Sequence, residues 1–451
     1  MPARPDLLVS GGAASFLKYF FPLYSPYMNE PFKKITLKNG MRIILAPQPG
    51  NMAATALVLV AAGSKYETKQ INGLSHFLEH MCFKGTKNRP NSMAISGELD
   101  GLGAEYNAFT SHEYTGYHAK VQANKLPKAI DIVSDLYLNP IFDVTEIEKE
   151  KGVVIEELSM YEDMPQRKIG DIFMHLMYGE QPAGWDVGGE KDIIRKLTKA
   201  DFIKYRNENY LAQATILVIS GAFDQKAVIK QAEQVFANMP TGEKATKLKV
   251  KEDQKKPELF IKFKESEQTH IMIGCRAFDA FDKRRFALEV LSDILGGGMS
   301  SRLFHKVREE LGAAYYVRSS VDLYTDHGYL AANAGVEHSK LKVVIQAILD
   351  EFTRLVDEKV SDAELQRAKD HLAGGILLGL ETSDALGGFY GMQEILKNEM
   401  ATPDELLKSI QAVTSTEIQS VAKDIFVNRG LNMVMIGPYK EAKEFEELLA
   451  L

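Results

Sequence analysis

Apolar and polar positions change period several times along the chain, and each change marks an element. Residues 32–47, FKKITLKNGMRIILAP, alternate around Asn39-Gly40, which predicts a β-hairpin. ATALVLVAAG (54–63) is an almost unbroken apolar strand. GLSHFLEHMCFKGT (73–86) switches to helical spacing, and SMAISGELDGLG (92–103) reads as a helix stopped by glycines. AEYNAFTS (104–111) and YTGYHAKV (114–121) are strand-like. LPKAIDIVSDLYLNP (126–140) is an amphipathic helix ended at Asn139-Pro140. A long helix is expected from Asp143 to Met160, with Asp143 or Thr145 as its cap. ATILVIS (214–220) is a strand, and a helix runs from about Gln225 to Asn238.

From Pro240 to Glu258 the pattern lapses into a lysine-rich, weakly apolar stretch, read as a linker with a solvated face. Beyond it the same order returns. LFIKFKE and THIMIGCRAF are strands, and RRFALEVLSDILGG is a helix in the place of the histidine segment. AAYYVRSSVDL and GYLAANAGV form a strand pair. LKVVIQAILDEFTRLV and SDAELQRAKDHLAGGILLGL parallel the two helices of the first half, and LNMVMIG parallels ATILVIS. The expected fold is α+β: two homologous domains related by duplication, each a mostly antiparallel sheet with helices packed on it. The divisions are an amino-terminal extension (1–27), a first domain (28–239), the linker (240–258) and a second domain (259–451). The second half has no His-x-x-Glu-His. A structural need would recur in both copies, whereas chemistry needs only one.

On a helix, residues three and four apart share a face. His76 and His80 therefore stand side by side, with Glu79 next to them. Two imidazoles with one carboxylate suit Zn²⁺, and an open fourth position suits hydrolysis. The competing reading is an ordinary packed amphipathic helix. A third protein ligand is needed, and EKEKGVVIEELSMYED (148–163) offers acids two turns apart on one face. Glu157 is assigned as the ligand and Glu150 as a supporting carboxylate. Glu156, about 100° round the helix, is the rival. Cys82 lies off the histidine face and reads as a buried thiol.

HFLEH together with VIEELSMYEDMP resembles the inverted-zincin metallopeptidases of the M16 family. GAEYNAFTSHEYTGY (103–117) is similar to the family's substrate-side strand, and GGGMSSRLFHKVREELGAAYYV (296–317) to its arginine- and tyrosine-bearing segment. The likeness spans roughly Phe32 to Leu449. It implies a zinc endopeptidase with His76, His80 and Glu157 as ligands to one Zn²⁺ per chain. Glu79 is then the catalytic base and Glu150 a supporting acid. Arg308 and Tyr315 come from the second domain, with Tyr316 as an adjacent competitor. An extended or unfolded peptide would be bound beside Ala104, Asn107, Ala108, Phe109 and Thr110. Short members of the family carry two such domains and work as dimers, so a homodimer is expected. Two alternatives are a non-catalytic structural subunit and a processing peptidase working with a different partner chain.

Composition narrows this further. A length of 451 residues with 45% hydrophobic and 25% charged residues fits a multidomain globular protein. The net charge of −7 gives no general attraction for nucleic acid. Two cysteines, Cys82 and Cys275, rule out a disulfide framework. No apolar run reaches the ~20 residues of a membrane span. AASFLKYFFPLYSPYM lacks the layout of a signal peptide. The expectation is a cytoplasmic protein without stable membrane insertion.

Overall fold

The computed structural model describes residues 31–451, so the expected extension at 1–27 lies outside the described residues. Two mixed, mainly antiparallel sheets organise it. The first is built from β1 (Lys33–Thr36), β2 (Arg42–Pro47), β3 (Ala53–Val60), β4 (Glu105–Thr110), β5 (Thr115–Gln122) and β6 (Thr215–Gly221). The second comprises β7 (Glu258–Phe263), β8 (Thr269–Ala277), β9 (Ala314–Leu323), β10 (Gly328–Val336) and β11 (Leu431–Gly437).

Their spatial orders are β1-β2-β6-β3-β5-β4 and β7-β11-β8-β10-β9. Without β1 the two orders are the same. In each, the only parallel pair among the described residues is the one holding the last strand of the half: β2 with β6, and β7 with β11. This is the duplicated α+β fold that the pattern predicts. The first hairpin is looser than a two-residue Asn-Gly turn. Leu37 N donates to Met41 O, and Gly40 takes a φ of +87° inside the loop.

Helices fill in as α1 (Leu74–Cys82), α2 (Ser92–Leu102), α3 (Leu126–Leu138), α4 (Val144–Glu162), α5 (Pro165–Tyr178), α6 (Lys191–Ile194), α7 (Lys199–Asn209) and α8 (Gln225–Phe236). The second half contributes α9 (Arg285–Gly296), α10 (Leu341–Asp357), α11 (Asp362–Gly379), α12 (Ser383–Lys397), α13 (Pro403–Ala412), α14 (Ser415–Ile425) and α15 (Lys443–Glu446). Asp143 caps α4 by accepting from the Thr145 and Glu146 amides, which places the start of the long helix as expected. One large core gathers α1, α3, α7 and α8 on one face of the first sheet. A second gathers α9, α10 and α14 on the second sheet.

The hydrophobic pattern predicts neither α5 nor α12, and these two exchange places. On α5, Phe173, Met174 and Met177 pack against Met272, Tyr329 and Val434 of the second sheet. On α12, Leu386, Tyr390 and Ile395 cover Ile44, Leu57 and Val218 of the first. Close approach explains two glycines of α12: a Cβ on Gly391 would fall 2.7 Å from Leu59 Cδ1, and one on Gly387 would fall 2.7 Å from Ser220 Oγ. Glu394 of α12 is fully buried and ion-paired to Lys34 (2.7 Å) and Arg42 (2.8 Å) of the first sheet.

The stretch 240–257 has no regular structure and is mostly exposed. It is not solvated throughout, however. Lys247 is drawn into a junction of buried charge, pairing with Glu113 at 2.5 Å and Asp326 at 2.9 Å. Lys65, 1% exposed, joins the same two acids. Buried charges persist when paired in this way.

Candidate metal centre

The site forms where α1 meets α4. Helix α1 starts at Gly73, whose φ of +92° and crowded Cβ direction (2.5 Å from Gly188 O) exclude other residues. Gly73 cannot cap with a side chain. The buried carboxylate of Glu67 replaces that cap, accepting from the amides of Gly73 (2.8 Å) and Ser75 (2.6 Å) and from Asn72 Nδ2 (3.1 Å). Leu74, Phe77, Leu78 and Met81 face the core, which leaves His76, Glu79 and His80 together on the other side. On α4, Ile147, Val154 and Leu158 face inward, with Glu150 and Glu157 along the same stripe. Glu156 points to solvent.

His76, His80 and Glu157 each offer a ligand atom, and these atoms lie within 4.8 Å of one another. Glu157 Oε2 is 3.3 Å from His80 Nε2 and 3.6 Å from His76 Nε2. The His80 ring is aimed by its other nitrogen, where Nδ1–H donates to Glu150 Oε1 at 3.0 Å. Lys84 donates to Glu150 Oε2 at 2.6 Å. The Tyr161 hydroxyl donates to Glu157 Oε1 at 2.7 Å, leaving Oε2 for the imidazoles.

The electrostatics match a cation site. Hydrogen bonds from His80 and Tyr161 hold Glu157 down at about 2. Burial lowers His80, but hydrogen bonds to Glu150 and Glu157 outweigh it and raise this histidine to about 9. His76, buried and beside His80, falls to about 4. His80 Nε2, His76 Nε2 and Glu157 Oε2 face one another, and a divalent ion binding there would displace any proton they share. Two imidazole nitrogens and an ionised carboxylate, backed by Glu150 and Tyr161, are a donor set that fits Zn²⁺. Glu79 is not a member of this set. Burial raises its pKa, and Thr110 Oγ1 donates to its Oε2 at 2.5 Å.

The comparisons with known proteins bear on the family and the fold. Residues 42–189 match the family profile described as Insulinase (Peptidase family M16), and 196–372 match Peptidase M16 inactive domain. A protein named uncharacterized zinc protease from Streptomyces coelicolor is 34% identical over 418 residues, covering 91% of this chain and 90% of its own. A namesake from Bacillus subtilis is 33% identical over 394 residues, covering 87% and 95%. The chain belongs to the M16 peptidase family. Its fold is that of a crystallised protease from Helicobacter pylori, with a TM-score of 0.84, 22% identity, and 90% and 99% of the two chains covered. A second solved structure, a peptidase M16 inactive domain from Pseudomonas fluorescens, has a TM-score of 0.83 at 19% identity, covering 91% and 98%.

The remaining M16 candidates are dispersed. Ala104, Asn107, Ala108, Phe109 and Thr110 lie on or just before β4, the edge strand of the first sheet, packed beside α1. The outer backbone edge of β4 has no neighbouring strand among the described residues. Arg308 and Tyr315 lie in the second half, on the π-helical segment Phe304–Glu310 and on β9. Arg308 stacks over Phe304, and Tyr315 is 75% exposed. Among the described residues neither bonds to the α1–α4 site. Tyr316, the competitor, has its hydroxyl on His270 Nδ1 at 3.0 Å. Cys82 is buried on the core side, with its thiol donating to Tyr117 and pushed up to about 12 by burial.

Sequence reasoning missed Tyr161, Lys84 and Glu67. Tyr161 lies four residues after Glu157 and Lys84 four after His80, so helical spacing was the available signal. For Glu67 no local pattern existed, because its partners are six and eight residues downstream across a turn.

Proposed function

We propose that this chain is a zinc-dependent endopeptidase that hydrolyses extended or unfolded polypeptides. The observation that carries the reading is the convergence of His76, His80 and Glu157 with Glu79 alongside. The two histidines and Glu157 hold the ion, and Glu150 orients His80. Bound there, Zn²⁺ supplies a Lewis acid that lowers the pKa of a water and polarises the scissile carbonyl. Glu79 accepts the proton of the attacking water at its carboxylate and passes it to the leaving amine. Its raised pKa suits a group that must both take and return a proton.

Substrate binds as an added strand on the open edge of β4, from Ala104 to Thr110. Main-chain hydrogen bonds then supply affinity with little demand on side-chain identity. Arg308 and Tyr315 complete the centre, one holding the substrate backbone and the other donating to the developing oxyanion. Their exposure suits groups that meet substrate across a cleft. A homodimer of active chains is the assembly that accords with this reading. The profile named inactive domain begins at residue 196, past His76, Glu79, His80 and Glu157.

Metal analysis coupled to cleavage of an unstructured peptide tests the proposal. One zinc per chain is expected, with cleavage abolished by chelator and restored by Zn²⁺. Metal-free protein that cleaves as well as the loaded form would end it.

A further inference from the structure

Thr110, at the end of the proposed substrate-side strand, turns its hydroxyl toward α1. Thr110 Oγ1 donates to Glu79 Oε2 at 2.5 Å, and among the described residues Glu79 has no other hydrogen-bond partner. A threonine hydroxyl carries a single hydrogen, so this bond commits its donor capacity. The backbone of β4 stays open for strand addition, while the side chain faces the carboxylate on α1.

Thr110 is held firmly. It is the last residue of β4, paired with Thr115 across the hairpin. The turn beyond it closes with Ser111 N donating to Tyr114 O at 2.8 Å. Ser111 O and His112 O then accept from the amides of Ser64 (3.2 Å) and Lys65 (2.8 Å). Gly63 permits this approach, since a Cβ there would meet Ser111 O at 2.1 Å. One residue further, Glu113 accepts from Thr325 N (3.0 Å) and Thr325 Oγ1 (2.7 Å) of the second half. The branched Thr110 side chain adds its own χ1 stiffness. Glu79, by contrast, has three rotatable bonds.

We propose that Thr110 is a positioning residue for the general base: it fixes one oxygen of Glu79 and leaves the other free for the attacking water. The proposal rests on the reading of Glu79 as that base. A preorganised base avoids reorientation during the reaction, so losing the bond slows turnover rather than weakening substrate binding.

The test compares zinc-loaded wild type with Thr110→Val, which keeps the shape and removes the hydroxyl, and Thr110→Ser, which keeps the hydroxyl. Steady-state kinetics on a quenched fluorescent unstructured peptide, zinc content, thermal midpoint and a crystal structure are recorded for each. Thr110→Val should lower kcat by about 10- to 100-fold, with KM within about twofold, zinc content unchanged and the Glu79 carboxylate displaced or in several orientations. Thr110→Ser should recover most of kcat and the single orientation. A valine variant with wild-type kcat overturns the proposal, as does a rise in KM alone or a serine variant no better than valine. If zinc-loaded wild type cleaves no peptide, the peptidase reading fails. The crystal structures still decide the positioning claim, which falls if Glu79 keeps its wild-type orientation in Thr110→Val.

Discussion

The two halves of the chain use one sheet order and one succession of helices, yet they differ where α1 meets α4 and where α9 meets α11. In the first half, α1 presents two histidines and α4 answers with Glu150 and Glu157. Counted from the helix caps Asp143 and Ser361, the positions of Glu150 and Glu157 on α4 are held by Ala368 and Gly375 on α11. Ala368 is buried in the second core, and a Cβ on Gly375 would meet nothing. One histidine–carboxylate pair remains between the second two helices, with its polarity reversed: His371 of α11 donates to Asp293 of α9 at 2.7 Å. That pair is short of a third donor. The same scaffold thus supports a convergent donor set in one copy and plain helix packing in the other. The sheets and caps hold the helices in place, and a few side chains at fixed helical positions decide whether chemistry follows.

The widest expected gap between the halves is catalytic. Glu79→Gln should lower kcat by about 10²- to 10⁴-fold while zinc stays bound, because no ligand is lost. Peptide kinetics beside metal analysis check this, and an unaffected kcat would remove Glu79 as the base. Next in size is the ligand itself. Glu157→Gln should strip most of the zinc from purified protein, whereas the solvent-facing neighbour Glu156→Gln should leave it in place. Retention in the first variant with loss in the second would reverse the assignment of the two acids.

Smaller changes are expected one layer out. Glu150→Ala copies the residue of the second half and frees His80 Nδ1. Zinc affinity, measured by chelator competition, should weaken by about 10- to 100-fold. Tyr161→Phe should fall at the low end of that range, since Glu157 keeps its bonding oxygen.

The mildest effect concerns the junction that joins the halves. Burial opposes ionisation of Asp326, but bonds from His327, Lys65 and Lys247 hold its pKa well below the usual range, and Glu113 is also lowered. An acid depressed in the folded state contributes stability above its unfolded pKa of about 4 and loses it as pH falls through the folded value. Denaturant midpoints should therefore drop below about pH 4, with a shallower slope in Asp326→Asn. An unchanged slope in that variant would separate the junction from acid sensitivity.

Much of this is legible in the sequence. Helical periodicity alone puts His76, Glu79 and His80 on one face of α1, because 3.6 residues per turn leaves no other choice once Leu74, Phe77, Leu78 and Met81 turn inward. Capping chemistry put the start of α4 at Asp143 or Thr145, and the structure selects Asp143. The recurring order of strands and helices exposed the duplication. Tertiary structure had to decide the rest. Whether α4 offers Glu157 or Glu156 depends on how Val154 and Leu158 seat against the core. The exchange of α5 and α12 between sheets is invisible locally, since an apolar helix face does not say which sheet will cover it. The bond from Thr110 to Glu79 joins an edge strand to a helix 31 residues earlier. Local pattern records which face an element buries; only packing of the whole chain determines which face it meets, and the donors of this site come from elements that meet in that way.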